Sequence, residues 1–168
     1  MTASEEQEGE GKMPVIRTLA SHEARIESDG TGGWSASITM PWAPVSPNTW
    51  GSRRSWVYLE QRARFQRYLE AAIPAYAKPP KPLARATVSF HMRRTMTMDT
   101  DNLRFACKPI LDALVSMKVL QGDTPEHIGE PKVTQERIKD ATGKRALLMC
   151  CTHITIESHA QHTPNITA

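Results

Sequence analysis

The segment from Ala86 to Met117 constrains the fold of this chain more than any other. Residues 86–91 alternate between apolar and polar side chains, as in a β-strand with one buried face. After a polar connection, apolar residues recur at helical spacing, at Leu103, Ala106, Ile110, Leu114 and Met117. Pro109 lies within this helical stretch and has no backbone N–H, so the helix is expected to kink or restart there. The segment therefore predicts a strand followed by a helix that packs on the sheet.

Flanking segments predict the rest of the sheet and a second helix. Residues 58–73 carry apolar side chains at helical spacing, and Pro74 is expected to end that helix. The Gly-rich segment 29–33 is typical of a hairpin turn, and residues 140–144 form a second turn. The expected strands cover residues 24–28, 34–40, 86–91, 128–138 and 145–156, the last apolar enough to be central or buried on both faces. The fold class predicted is α+β: a small mixed sheet of about four or five strands with two helices packed on it.

Length and composition limit the class of protein. A chain of 168 residues is long enough for one domain with a real core. It has no apolar run near the length of a membrane span and no secretory leader, so a cytoplasmic location and no membrane partner are expected. Cys107, Cys150 and Cys151 lack metal-ligand spacing, which predicts reduced thiols.

The two ends of the chain differ from its middle. Residues 1–13 are polar and acidic and are expected to be disordered, residues 160–168 are expected to be a disordered tail, and residues 14–159 form the predicted domain. The whole chain carries a net charge of +3. Without its first twelve residues it holds 20 Lys and Arg against 14 Asp and Glu, a net charge of +6. Such a charge suits a protein that binds a phosphate backbone.

An acid pair precedes the central helix. Asp99 and Asp101 are two residues apart, so in an extended segment they share one face and repel each other unless a cation lies between them. Carboxylates in this arrangement suit Mg²⁺. At 100° per residue, Lys108 and Asp112 return to the direction of Asp101, and Asp123 follows the helix. Each residue alone is ordinarily a turn, a helix cap or a surface group. Their combination favours a metal site.

These residues resemble the RusA family of Holliday-junction resolvases, which is common in phages and prophages. The family pattern Asp-x-Asp-Asn-Leu-x-Lys-Pro-x-x-Asp-Ala-Leu is matched by residues 99–104 and 108–114, and its later acid-acid-Ser stretch by residues 119–128. Residues 44–48 are similar to the family's Pro-x-Ser-x-Asn segment. The chain departs from the pattern at two places: Phe105-Ala106-Cys107 is an extra turn, and Gly122 stands where the family has the first acid of its pair.

The resemblance implies a RusA-like fold and a Mg²⁺-dependent endonuclease, for which Mn²⁺ is expected to substitute. Such an enzyme resolves four-way DNA junctions by paired symmetric nicks in recombination and repair. Two active sites related by a two-fold axis suit that substrate, and the family resemblance implies a homodimer.

The resemblance also implies roles for individual residues. The implied metal ligands are Asp99, Asp101 and Asp123. Lys108 would stabilise developing charge or orient water. Asp112 would hold Lys108 or a metal-bound water, and Asn102 would likewise support the ligands without binding the metal. Separately from the resemblance, the candidate DNA contacts are Arg53, Arg54, Arg93, Arg94 and Arg104. Segment 41–55 is either a connecting loop or a DNA-facing segment in which Trp50 or Trp56 contacts a base or sugar.

Two other function classes remain open from the sequence. A branched-DNA binding protein that has lost catalysis is favoured by Gly122 and the inserted turn. A nucleotide-sugar transferase also uses Asp-x-Asp to hold a divalent metal. The transferase is disfavoured because the chain is short and has no glycine-rich nucleotide loop.

Overall fold

The structure, a computed structural model, describes residues 17–19, 23–29, 33–50, 55–138 and 149–159. The strands in this part of the chain are β1 (Arg17–Leu19), β2 (Glu23–Ser28), β3 (Trp34–Met40), β4 (Ala86–Arg94), β5 (Lys132–Arg137) and β6 (Cys151–Ser158). The helices described are α1 (Pro47–Trp50), α2 (Trp56–Ala72), α3 (Thr100–Ala106), α4 (Lys108–Ser116) and α5 (Pro125–Ile128), with a 3₁₀ turn at Ala75–Ala77. The predicted α+β class is confirmed.

The described strands form one mixed sheet in the order β1-β2-β3-β6-β4-β5. Only β4 and β5 pair in parallel, and the other neighbours are antiparallel. Five strands of six to nine residues make up the sheet, and the three-residue β1 extends one edge. The predicted hairpin between β2 and β3 is confirmed, as is the central position of β6.

One face of the sheet carries the core. Residues alternate between buried and partly exposed along β3, β4 and β6, so each of these strands has one apolar face. Phe65 and Leu69 of α2 and Ile110 and Leu114 of α4 join the strand residues in one apolar cluster. The expectation that the last strand could be buried on both faces is wrong for β6, because its outward residues, such as His153, are polar and partly exposed.

The central helix is divided as the proline predicted. α3 ends at Ala106 and α4 begins at Lys108, which places Pro109 in the first turn of α4, where its missing N–H costs no hydrogen bond. The predicted apolar stripe is buried along both helices. α3 begins at Thr100, earlier than the opening at Asn102 that the sequence predicts, so Asp101 belongs to the helix.

Several other boundaries differ from the sequence prediction. The strand expected from residue 128 begins at Lys132, because Pro125 opens the short helix α5 and Gly129, with a φ of 59°, ends it. The loop expected over residues 41–55 contains α1. The predicted tails, the 140–144 turn, the start of the last expected strand, Arg53 and Arg54 lie outside the described residues. No helix within the described ranges is long and apolar enough to cross a membrane.

Candidate active site

A lysine between two carboxylates forms the centre of the candidate site. The Nζ atom of Lys108 lies 2.8 Å from Oδ1 of Asp112, one turn further along α4, and it also forms an ion pair with Oδ2 of Asp123. The three side chains are only 18–23% exposed. Lys108 and Asp112 therefore lie together as predicted, whereas Asp123, predicted as a metal ligand, is paired with Lys108.

Backbone contacts fix the loop that carries Asp123. After α4, Lys118 adopts a left-handed conformation with a φ of 63°, which reverses the chain. Leu83 then donates its N–H to the carbonyl of Val119 at 2.9 Å and accepts the N–H of Gln121 at 3.0 Å. These two hydrogen bonds fix the loop as far as Gln121, two residues before Asp123. The carboxylate of Asp123 thus lies beside Lys108, the first residue of α4.

Helix α2 supplies a residue that the sequence analysis missed. The hydroxyl of Tyr58 donates to Oδ2 of Asp112, and Tyr58 is buried. Arg62, one turn further on, donates to Oγ of Ser116 at 2.5 Å, and Ser116 donates to the carbonyl of Asp112 at 2.8 Å. Tyr58 and Arg62 are four residues apart on α2, a spacing that places both on one face. This face of α2 reaches the site because α2 packs against α4, a contact that the sequence alone does not indicate.

The surroundings of Asp112 favour its charged form. Burial raises the pKa of Asp112, but hydrogen bonds from Lys108 and Tyr58, with the charges of Lys108 and Arg62, outweigh burial. The net pKa of Asp112 therefore lies below its ordinary value. Both carboxylate oxygens have donors, so the side chain is fixed in one orientation.

Asp99 caps helix α3. Its Oδ1 accepts the backbone N–H of Asn102 at 2.9 Å, and its Oδ2 accepts the side-chain amide of Asn102 at 2.6 Å. These hydrogen bonds lower the pKa of Asp99, the backbone bond contributing most. Asn102, expected to support the metal ligands, thus holds the Asp99 carboxylate. A carboxylate keeps further lone pairs when it accepts two hydrogen bonds, so Asp99 can still bind a cation.

The expected placement of Asp101 is wrong in one respect. Asp99 and Asp101 do not share one face of an extended segment, because Asp101 lies in the first turn of α3 and is exposed to solvent. The helix starts early since Asp99 satisfies an N–H of the first turn, which is the ordinary role of an Asp at this position. Both acids remain at the helix N-terminus, where the helix dipole favours negative charge.

The donor chemistry of this region fits a hard divalent cation. Across the described residues, no three His, Cys, Asp or Glu side chains are grouped to share one metal ion. The three predicted ligands therefore do not form one cluster in this structure, since Asp123 is paired with Lys108. Mg²⁺ commonly binds through one or two carboxylates together with water and substrate phosphate. Asp99 and Asp101 are exposed carboxylates of this chemical type, and their roles as ligands, like that of Asp123, stay predictions.

The described candidate arginines have different surroundings. Arg93 lies on the polar face of the sheet, away from α4, 3.5 Å from Glu136. Arg94 donates to the carbonyl of Pro44 at 2.7 Å and to that of Met96 at 3.2 Å, and burial lowers its pKa. Arg94 thus fixes the backbone at Pro44 and Met96, which is a structural role. Arg104 of α3 is exposed and forms an ion pair with Glu130 at 2.6 Å.

The tryptophans have separate surroundings. Trp50 is only 4% exposed, so the expectation that it contacts a base directly does not fit its burial. Its ring lies 4.7 Å from that of Tyr58 and 5.9 Å from that of Phe105, centroid to centroid. Trp56 is 73% exposed at the start of α2. Trp50 therefore supports Tyr58, while Trp56 remains accessible to a ligand.

Gly122, which stands where the RusA pattern has its first acid, has a structural explanation. A Cβ atom added to Gly122 would lie 2.3 Å from Cδ2 of His127. His127 is held by its Nδ1, which donates to the carbonyl of Ala84 at 3.0 Å. The imidazole therefore occupies the space that a side chain at residue 122 would need.

Comparisons with known proteins do not assign a family. No protein-family model matches the chain, and a search of curated proteins found no match. The relation to the RusA family therefore stays a resemblance carried by residues 99–104, 108–114 and 119–128.

Proposed function

We propose that this protein is a Mg²⁺-dependent endonuclease that resolves four-way DNA junctions. The observation that carries the proposal is the ion pair of Lys108 with Asp112 and Asp123, next to a helix whose N-terminus carries Asp99 and Asp101. Lys108, Asp112 and Asp123 are largely removed from water, and burying three charged groups costs desolvation energy. A salt bridge on the surface would avoid this cost. A lysine held between two carboxylates, one of which is fixed by a buried tyrosine, is suited to chemistry on a charged substrate.

The proposed roles follow from the contacts of each residue. Asp99 and Asp101, with Asp123, would hold the cation, and Asn102 orients the Asp99 carboxylate. A divalent cation bound there would supply an activated water and would relieve negative charge on the phosphate. Lys108 donates to a non-bridging phosphate oxygen and stabilises the charge that develops on it. Tyr58 and Asp112 keep the ammonium group of Lys108 in place.

Incubation with a labelled four-way junction tests the proposal. The parent protein should produce paired, symmetric nicks with Mg²⁺ or Mn²⁺ and none with EDTA. Asp101→Asn should abolish cutting and leave junction binding unchanged or tighter, because the variant loses a metal ligand and a repulsive charge. Glu70→Gln, which removes an exposed carboxylate near the far end of α2, is the matched control and should cut like the parent. Cutting by Asp101→Asn at the parent's rate would contradict the site assignment.

A second candidate function is a branched-DNA binding protein without catalysis. It is favoured by the ion pair that Lys108 forms with Asp123 and by the imidazole of His127 in place of an acid at residue 122. Such a protein would bind the junction equally well in EDTA and would cut it with neither Mg²⁺ nor Mn²⁺. The same incubation therefore separates the two functions.

A further inference from the structure

An aromatic residue lies on the same helical stripe as the candidate active-site residues. Phe105 follows Asp101 by four residues and precedes Lys108 by three, and both spacings place side chains on one helix face. Cys107, between α3 and α4, has helical backbone angles of −77° and −16°, so this stripe continues across the restart. Phe105 therefore stands between a candidate metal ligand and the candidate catalytic lysine.

The ring of Phe105 is both exposed and supported. Phe105 is 48% exposed, whereas phenylalanine in a helix that packs on a core is usually buried. Its ring stacks on Trp50 with an angle of 30° between the ring planes. Trp50 is in turn packed against Tyr58, which is bonded to Asp112. These contacts support the aromatic surface before any ligand binds, and such support lowers the entropy lost on binding.

The groups beside this ring select the chemistry of its ligand. Lys108 lies one turn along the stripe, in its ion pair with Asp112 and Asp123. The exposed Arg104 is the neighbouring residue in the chain and is paired with Glu130. A ligand would use both features of this surface if its flat apolar face covered the ring of Phe105 and its anion took the place of a carboxylate at Lys108. A nucleotide with an unpaired base has both features, because the base stacks on an aromatic ring and the phosphate meets the cation.

We propose that Phe105, supported by Trp50, is a stacking platform for an unpaired base next to the phosphate that Lys108 contacts. The proposal rests on the proposed function for the identity of that phosphate. It narrows the substrate to DNA with an unpaired base at the branch, because a base inside an intact duplex must first be unstacked. The platform residue belongs to the three-residue segment by which the chain departs from the family pattern.

A fluorescent base at the branch tests this platform. The probe is a four-way junction with an unpaired 2-aminopurine at the branch point, titrated with protein in EDTA so that no cutting occurs. Emission should fall when the base stacks on the parent protein. Phe105→Leu, which keeps an apolar side chain over Trp50, should abolish this fall and weaken binding about 5- to 150-fold. Phe105→Tyr should behave like the parent because it keeps the ring.

Control variants and alternative outcomes decide the proposal. Tyr76→Leu removes an exposed aromatic residue beyond the far end of α2 and should leave binding and emission unchanged. If Phe105→Leu quenched the probe and bound it like the parent, Phe105 would only cover Trp50, and the platform would be wrong. Unchanged emission at saturation with the parent, or no binding of the probe by the parent, would overturn it without any variant.

Failure of the proposed function gives a different result. If the protein quenches the probe in EDTA but never cuts with Mg²⁺, the stacking platform is supported and the nuclease function is contradicted. If the protein cuts the junction but does not quench the probe, the nuclease function is supported and the stacking platform is contradicted.

Discussion

Lys108 and Asp123 form an ion pair that joins the first residue of α4 to the loop after that helix. On its other side, Lys108 contacts Asp112, which Tyr58 of α2 fixes in turn. Two helices and one loop therefore meet at a single ammonium group. Changes at this group are expected to affect both folding and the proposed chemistry.

Replacement of Lys108 by Met should lower stability and cutting together. The change leaves the half-buried carboxylates of Asp112 and Asp123 without their cation, which should cost about 1–3 kcal/mol, between the values for surface and buried pairs. Loss of the donor should slow cutting about 100- to 1,000-fold. Urea denaturation and single-turnover cleavage measure the two effects. Lys81→Met, at an exposed lysine, is the control and should change neither. A variant that cuts normally would exclude Lys108 from the reaction.

Removal of the Tyr58 hydroxyl should reduce the rate of cutting more than substrate binding. Tyr58→Phe keeps the ring against Trp50 but deletes the donor to Asp112, so Lys108 is held less firmly. The stability cost should be about 1.5–3 kcal/mol, typical of a hydrogen bond to a charged group. We expect a lower kcat with little change in KM.

A second tyrosine supplies the control for this variant. Tyr68 donates its hydroxyl to the carbonyl of Thr39 at 2.7 Å, away from the site. Tyr68→Phe should lower stability and leave kcat unchanged. Equal effects of the two variants on kcat would show that Tyr58 acts only through stability.

The charge of Asp112 should stabilise the fold at neutral pH and not in strong acid. Because the pKa of Asp112 is lower in the folded protein than the ordinary value of 3.8, its contribution is complete above pH 3.8 and is lost as the pH falls through the folded value. Asp112→Asn should therefore destabilise the protein most near neutral pH. Denaturation of parent and variant across this range measures the difference, and a difference independent of pH would contradict the account.

Two substitutions at Asp99 should separate folding from metal binding. Asn caps a helix about as well as Asp, so Asp99→Asn should keep the thermal midpoint of the parent and lose most of the Mg²⁺-dependent cutting. Asp99→Ala should melt at a lower temperature than the parent, because the N–H of Asn102 loses its acceptor. This variant should also lose most of the Mg²⁺-dependent cutting. Thermal melts followed by circular dichroism, together with cleavage assays, distinguish the variants. Normal cutting by Asp99→Asn would contradict the role of Asp99 as a metal ligand and would show that it only caps the helix.

Gly122 and His127 should be coupled energetically. Gly122→Ala places a Cβ against the imidazole ring and should cost about 1–3 kcal/mol, as overpacking does. In a His127→Ala background the same change should cost much less, because the obstructing ring is gone. A double-mutant cycle by urea denaturation measures this coupling. Additive effects of the two changes would show that the ring moves aside freely.

The sequence predicted features that depend on neighbours along the chain. Apolar spacing gave the buried stripe from Leu103 to Met117, and Pro109 marked the restart of the helix. The i, i+4 spacing of Lys108 and Asp112 placed them on one face, where they form an ion pair. These outcomes follow from local geometry, which a single segment determines.

Features that depend on long-range packing were not predictable. Tyr58 lies 54 residues before Asp112 and reaches it only because α2 packs on α4. The early start of α3 depends on whether Asp99 caps the helix or extends the strand before it, and the residue types allow both. The contact between Gly122 and His127 likewise depends on the carbonyl of Ala84, far away in sequence.

The central claim is that the acids before and after α4 hold one cation against a DNA phosphate. Anomalous diffraction from crystals of the protein with a four-way junction and Mn²⁺ tests this claim most directly. The account predicts an anomalous peak about 2 Å from carboxylate oxygens of Asp123 and of Asp99 or Asp101, with a DNA phosphate at the same ion. A peak elsewhere, or well-ordered carboxylates with no peak between them, would contradict it.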